Sequence, residues 1–395
     1  MFARYLFYLF KLRKNLWLDP SSLRELQRKR LRAVIKHAYE NVPFYHRKFD
    51  KAGIKPDDIQ SVTDLSEVPL TTKSEIQLSP PGDSMARNMN ANSCVRRTTS
   101  GSTGMPLTIL VDKNAQDFEA AIWSRTFLEN GFRFFDRMAV IDDPRHFPKG
   151  RNWLQRFGIV KRRYISVFDS AEKQLMFLEE FKPDVIKSYP SSLIILSDVY
   201  KAVAFKPRLI FTSAELLDDT SRSLISSTFE AELLDNYASY EFSLMAWECS
   251  QHMGYHLNVD SVLMEFLSNG EAVTSGESGE IVCTSLINYA MPLIRYRSGD
   301  FGVPVEEQCS CGRSLPLLKT IEGRADDFLI ALDGRAIAPT VFFPYPFEGH
   351  EEIRQFRVIQ EKIDKLTIQL VVGKRFGENK VVLERARRKI QRLFG

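Results

Sequence analysis

The chain is 395 residues long, with 44% apolar residues, 26% charged residues and a net charge of +4. At about 100–200 residues per domain this predicts two or three domains, and the composition excludes a chain that is disordered throughout. Five cysteines are too few for a secreted disulfide scaffold; an odd count, with Cys309 and Cys311 one residue apart, points to a reducing compartment and a metal. Residues 1–32 carry nine Lys/Arg against two acids, and residues 374–395 carry eight against two, so the body between them is net acidic. Two basic ends on an acidic body lack the continuous basic face of a nucleic-acid groove. Solvated faces of terminal helices account for them.

Met1 to Trp17 is aromatic-rich and broken by Arg4, Lys11, Arg13 and Lys14. No uncharged run approaches the ~20 residues of a spanning helix, and no small-residue cleavage site marks a signal peptide. The segment reads either as an amphipathic helix on an anionic membrane or as a helix packed on its own domain. Residues 20–49 predict mostly helix, started by Pro20 and Ser21 and stopped at Asn41-Val-Pro. Residues 54–82, rich in Pro, Asp and Ser, predict connecting structure. From 107 to 320 short apolar runs alternate with longer amphipathic stretches. Met138–Ile141, Val185–Ile186, Leu209–Phe211 and Gly279–Cys283 predict strands; Ala171–Phe181, Ser191–Val203 and Asp218–Phe229 predict helices. That alternation implies an α/β architecture with at least partly parallel sheets. Beyond 326, Phe328–Ala331, Arg354–Gln360 and Lys365–Val372 predict three strands and 378–393 a basic helix. A small α+β unit would follow a hinge within Ile321–Asp327.

Among the chemical motifs, Thr98-Thr-Ser-Gly-Ser-Thr-Gly-Met-Pro106 is the most specific. Two glycines leave backbone N–H groups free to surround phosphate oxygens, and the hydroxyls of Thr99, Ser100, Ser102 and Thr103 add donors. It lacks the Lys of an NTPase P-loop. Downstream come Thr212-Ser-Ala-Glu215, Asn236-Tyr-Ala-Ser-Tyr-Glu241, Tyr296-Arg-Ser-Gly-Asp300, Gly323-Arg-Ala-Asp-Asp327 and Gly334 to Pro339. In this order and spacing they resemble the adenylate-forming superfamily of acyl-CoA ligases. The resemblance is closer still to its phenylacetate–CoA ligase and CapK-like capsular-polysaccharide branch. Asn41-Val-Pro-Phe-Tyr45, Met291-Pro-Leu-Ile-Arg-Tyr-Arg-Ser-Gly-Asp300 and Cys309-Ser-Cys-Gly-Arg313 carry that closer likeness, which runs from about residue 20 to the end.

The resemblance implies a large adenylate-forming domain of mixed or parallel sheets and helices over 1–323. A small, mobile and shortened α+β domain over 324–395 would turn about Asp326. Thr99, Ser100, Gly101, Ser102, Thr103 and Gly104 would cradle the phosphates of ATP. Tyr237 would stack on adenine, with Ala214 and Glu215 lining the same pocket. Glu241 would ligate Mg²⁺, a hard cation that prefers carboxylate oxygens. Asp300 would accept from the ribose hydroxyls, and Arg324 would sit near ribose and phosphate. The implied reaction is carboxylate activation to an acyl-adenylate, followed by transfer to coenzyme A or another thiol, in the cytoplasm and within capsular polysaccharide biosynthesis. The implied partner is a small-molecule carboxylate, not a nucleic acid; peripheral membrane contact through residues 1–17 and a homodimer stay open.

Three departures from the family pattern bear on this. Met105 stands where many relatives have Lys. Tyr240 stands where Ser or Thr is common, leaving Ser239 as the candidate phosphate contact. No Gly-Lys matches the family's last motif, since Gly373-Lys374 lies too early, so adenylation by these residues is expected to be slow. Two alternatives follow: adenylyl transfer to a hydroxyl-bearing substrate, and a catalytically weak nucleotide-binding accessory protein.

Cysteine thiolates and imidazoles are preferred zinc ligands. Cys249, His252, His256, Cys309 and Cys311 form a second constellation, although Cys-x-Cys alone is a weak signal. The resembled branch implies one structural zinc held by Cys249, His256, Cys309 and Cys311, with His252 left at the surface. Cys94 and Cys283 read as core. His146, in Asp142-Asp-Pro-Arg-His146, and Tyr189-Pro190 fall in loops after strands, where an α/β sheet meets its ligands; His146 reads as a loop residue that could touch the acyl substrate.

Overall fold

The computed structural model describes residues 2–99, 106–148, 161–200, 205–324, 327–337, 342, 353–372 and 380–394. Helices α1 (Phe2–Asn15), α2 (Pro20–Asn41), α3 (Pro43–Ala52) and α4 (Lys73–Leu78) precede a short hairpin of β1 (Val95–Thr98) and β2 (Thr108–Val111). The stop at Asn41-Val-Pro is real, but Pro43 at once opens α3. A proline at the first helical turn lacks only an N–H that would have no partner there. Thr72 and Glu75 close a reciprocal cap on α4, inside a stretch expected to be only connecting structure.

Helix α5 (Lys113–Glu129) leads into a twelve-stranded sheet. Its first half is β3 (Arg137–Asp142), β4 (Lys161–Ser166), β5 (Val185–Ser188), β6 (Leu209–Ser213) and β7 (Glu232–Ser239), all parallel in the order β4-β3-β5-β6-β7. Helices α6 (Ala171–Phe181), α7 (Pro190–Ser197) and α8 (Asp219–Phe229) connect these strands. Both faces are apolar, as a covered parallel sheet requires. Met138, Val140, Leu209, Phe211 and Leu234 pack with Phe127 of α5. Ala139, Ile141, Ile186, Ile210 and Leu233 pack with Leu178, Leu193 and Phe229 of α6, α7 and α8.

The second half is antiparallel: β8 (Ser243–Glu248), β9 (Tyr255–Leu257), β10 (Val262–Ser268), β11 (Glu271–Ala272), β12 (Gly279–Ser285), β13 (Tyr296–Val305) and β14 (Leu317–Arg324). Trp247, Met245 and Leu318 sit in its core. A buried Arg125–Asp260 pair, 2.7 Å apart, and an Asn15–Asp260 hydrogen bond of 2.6 Å tie α1, α5 and the segment after β9 together. After β14 come the hairpin of β15 (Leu329–Ile330) and β16 (Ala336–Ile337), the hairpin of β17 (Ile353–Lys362) and β18 (Lys365–Val372), and α9 (Lys380–Phe394). These last elements share their own apolar cluster, including Leu329, Ile337, Phe342 and Phe394. Cys283 is buried as expected, whereas Cys94 is half-exposed rather than core. The expected hinge residue Asp326 lies outside the described residues.

Candidate active site

A cleft of about 700 Å³ opens at the C-terminal ends of β6 and β7, facing β13 and β14. Ligand sites in α/β sheets form at such strand ends. The cleft gathers Thr99, Ala214, Glu215, Tyr237, Ser239, Glu241, Asp300 and Arg324, which the sequence scatters over 226 positions. Ser100, Gly101, Ser102, Thr103 and Gly104 lie outside the described residues.

Backbone geometry explains why each local sequence places its side chain here. Between the ladder pairs Glu280–Phe301 and Val282–Arg297, β13 spends three positions, Ser298 to Asp300, against Ile281 alone, two more than a regular ladder needs. This bulge turns at Gly299, whose φ of +79° favours glycine. Ser298 Oγ donates to Ile281 O at 2.8 Å and accepts from Asp300 N at 3.1 Å, which fixes the bulge. Asp300 thereby reaches the cleft. Ala214 also adopts positive φ, +72°, although it carries a Cβ; such a conformation costs about 1 kcal/mol or more. The turn sends Glu215 back onto α7, where its carboxylate accepts from Ser191 N and Ser191 Oγ, both at 2.9 Å.

Tyr237 donates its hydroxyl to Asp300 Oδ2 at 2.6 Å, and Arg324 Nε stands 3.7 Å from Asp300 Oδ1. One Asp300 oxygen is thus committed and the other keeps acceptor capacity. Burial pushes the Asp300 carboxyl above the ordinary carboxylate value, with Tyr237 and Arg324 opposing that rise. Tyr296 donates to Glu241 Oε1 over a long 3.4 Å. Ser239 Oγ accepts from Phe242 N at 3.1 Å and so braces the β7–β8 turn. Thr99 Oγ1 accepts from Leu107 N at 2.9 Å, closing the base of the loop that the sequence singles out.

The cleft holds residues that sequence reasoning passed over. Asp235 lies at its floor, accepting from Thr212 Oγ1 at 2.5 Å and Tyr255 at 2.8 Å; burial pushes its carboxyl up to about 6. Lys73, at the first position of α4, supplies a cation to the opposite wall. Thr71 holds that wall in place by exchanging backbone hydrogen bonds with Arg295 and Arg297, 2.7 and 2.9 Å long. Tyr240, which the sequence marks only as standing where Ser or Thr is common, also lines the cleft and meets His146.

The four expected metal ligands also converge. The donor atoms of Cys249, His256, Cys309 and Cys311 all lie within 4.8 Å of one another. Cys249 and Cys309 sulfurs are 3.6 Å apart, far beyond a disulfide bond, and Cys311 Sγ lies 3.4 Å from His256 Nε2. A tetrahedral zinc with Zn–S bonds of about 2.3 Å has donor–donor edges of about 3.7 Å. The donor set and its spacing therefore fit zinc. Gly312, at φ +80°, makes the tight Cys-x-Cys turn. His252 points elsewhere, to Glu232 at 3.0 Å.

No family model matches the chain. The chain is 31% identical over 338 residues to a phenylacetate–coenzyme A ligase of Escherichia coli K12, spanning 80% of this chain and 76% of that one. A phenylacetate–coenzyme A ligase of Aromatoleum evansii is 30% identical over 335 residues, spanning 82% and 74%. Protein CapK of Staphylococcus aureus is 22% identical over 381 residues, spanning 92% and 82%. Among solved structures, a 2-hydroxyisobutyryl-CoA ligase in its postadenylation state superposes with a TM-score of 0.81 at 21% identity, covering 97% of this chain and 86% of that one. The mixed α/β fold is therefore that of the adenylate-forming CoA ligases.

Proposed function

The chain belongs to the phenylacetate–coenzyme A ligase family, and from that premise we propose that it activates a carboxylate with ATP and passes the acyl group to coenzyme A or another thiol. The observation that carries this reading is the convergence of Tyr237, Glu241, Asp300 and Arg324 on one cleft. A carboxylate oxygen attacks the α-phosphorus and pyrophosphate leaves; a thiolate then attacks the acyl carbon and AMP leaves. The nucleophile of the first step is already an anion, so positioning and charge neutralisation are the main tasks. Glu241 would hold Mg²⁺, which supplies positive charge to the phosphate oxygens. Asp300 would orient the ribose, Tyr237 would flank the base, and Lys73 and Arg324 would face the phosphates. The test is AMP release that requires both a carboxylate and coenzyme A. AMP left covalently on a hydroxyl acceptor, with no thiol dependence, would favour the adenylyl-transfer alternative.

We infer further that residues 324–395 form a small domain turning about Asp326; their separate apolar cluster supports this. The donor geometry supports one structural zinc pinning the loop after β8 to the turn before β14. Five cysteines without a disulfide suit the reducing cytoplasm, and the likeness to CapK supports a role in polysaccharide assembly. Helix α1 docks one face on α5 through Tyr5, Tyr8 and Arg4. Its other face leaves Phe7 59% and Phe10 74% exposed, with Trp17 beyond it at 59%. Lys11 and Lys14 flank these rings. Exposed aromatics beside lysines suit an anionic bilayer, whereas a second copy would set like charges against each other. Sedimentation with phosphatidylglycerol vesicles tests this; no binding, or binding that survives Phe7→Ser/Phe10→Ser, refutes it.

A further inference from the structure

Beside the cleft, Asp142, His146 and Tyr240 form a hydrogen-bonded line drawn from the end of β3, the turn after it and the β7–β8 turn. His146 Nδ1 lies 2.8 Å from Asp142 Oδ1, and Tyr240 Oη lies 2.7 Å from His146 Nε2. Asp142 Oδ1 also receives the Tyr189 hydroxyl and Asp143 N. Asp143 in turn clamps Arg145 through its backbone and guanidinium, so the Asp142–His146 turn is held at both ends.

The carboxylate and the tautomer it selects set the direction of each hydrogen bond. An ionised Asp142 can only accept, so His146 donates to it from Nδ1; the Nδ1–H tautomer of the ring leaves Nε2 as an acceptor. With that tautomer Tyr240 donates its hydroxyl hydrogen bond to His146 Nε2. Its phenolic oxygen, committed as a donor on that side, retains acceptor capacity. Tyr240 is 38% exposed, so the line is not there to satisfy buried groups; water would serve equally well. It instead fixes the hydroxyl of a residue that lines the cleft and directly precedes Glu241.

We propose that Tyr240, held by His146 and Asp142, reads a hydrogen-bond donor on the acyl substrate, so that the site takes carboxylates bearing a hydroxyl or amino group over apolar alkyl or aryl acids. The proposal rests on the carboxylate-activating reading above and deepens it. An unsubstituted acid covers the Tyr240 oxygen without giving it a partner, and a site built to pair with a substrate hydroxyl discriminates strongly against an analogue that lacks one. Tyr240 contacts the substrate; His146 and Asp142 are positioning residues.

The experiment is carboxylate-dependent ATP–pyrophosphate exchange with matched acids. The pairs are 2-hydroxybutyrate, 3-hydroxybutyrate and 3-aminobutyrate against butyrate, and 4-hydroxyphenylacetate against phenylacetate. At least one polar acid should exceed its parent about tenfold or more in kcat/KM. Tyr240→Phe, which keeps the ring, should collapse that ratio to about threefold or less. His146→Gln and Asp142→Asn should lower it too, whereas a purely structural role would scale both members of a pair alike. Parent acids used as well as their polar partners, or an undiminished ratio in a folded Tyr240→Phe protein, would overturn the proposal and leave carboxylate activation standing. No exchange with any acid while ATP still binds would overturn carboxylate activation itself, and this proposal with it.

Discussion

Replacing Asp300 with alanine tests the nucleotide cleft at the point where its geometry is most constrained. Asp300 Oδ2 accepts from Tyr237 at 2.6 Å, and Oδ1 faces Arg324 at 3.7 Å with the side chain 19% exposed. A ribose hydroxyl meeting Oδ1 gains a hydrogen bond to a charged acceptor, a net contribution of about 1.5–3 kcal/mol. Asp300→Ala should therefore weaken AMP and Mg·ATP binding about tenfold to a hundredfold. A separate cost falls on folding, because the buried Tyr237 hydroxyl loses its acceptor; Asp300→Asn restores an acceptor for Tyr237 without the charge and should recover most of the stability. Since burial raises the Asp300 pKa, wild-type affinity should fall as pH drops through that raised value, and Asp300→Ala should lack this component. Titration calorimetry reads both effects. A folded Asp300→Ala protein that binds AMP within twofold of wild type would place the ribose elsewhere.

Protein purified without added metal should carry near one zinc per chain by elemental analysis. Cys309→Ser should lose it and melt at a lower temperature, because a structural site contributes directly to folding; metal-free protein with unchanged melting would refute the site. Asp235 gives a pH signature. Its carboxyl sits at about 6 when folded, above its ordinary value, so the charged form is penalised in the fold. Asp235→Asn should thus gain on wild type by up to about 3 kcal/mol as pH rises from 4 to 7, and show no such gain below pH 4. Urea unfolding at several pH values checks this, and a constant difference would contradict it.

Much of the site was legible because its residues sit in short strand-ending motifs. Gly299 next to Asp300 signals a bend, and the Cys-x-Cys-Gly run signals a tight turn; both motifs behave so. The parallel half of the sheet was readable from apolar runs alternating with amphipathic helices. The antiparallel half was less so, because strands such as Val262–Ser268 follow each other without intervening helices. Strand β4, Lys-Arg-Arg-Tyr-Ile-Ser, hid because it is a basic edge strand with little apolar signal. Asp235 and Lys73 carry no local signal; only the fold brings them to the cleft. His146 was visible as a loop residue, but its partner Tyr240 is 94 positions away.

Carboxylate activation in the cleft that holds Glu241 and Asp300 is the chemistry to be measured. Its most direct test is Mg²⁺- and carboxylate-dependent exchange of labelled pyrophosphate into ATP, measured for wild type and Glu241→Gln. Exchange should appear only when a carboxylate is added. It should fall about a hundredfold to a thousandfold in Glu241→Gln, the usual cost of removing one preorganised electrostatic contact. Absence of exchange despite tight ATP binding would rule out carboxylate activation, and exchange undiminished in Glu241→Gln would remove Glu241 from it.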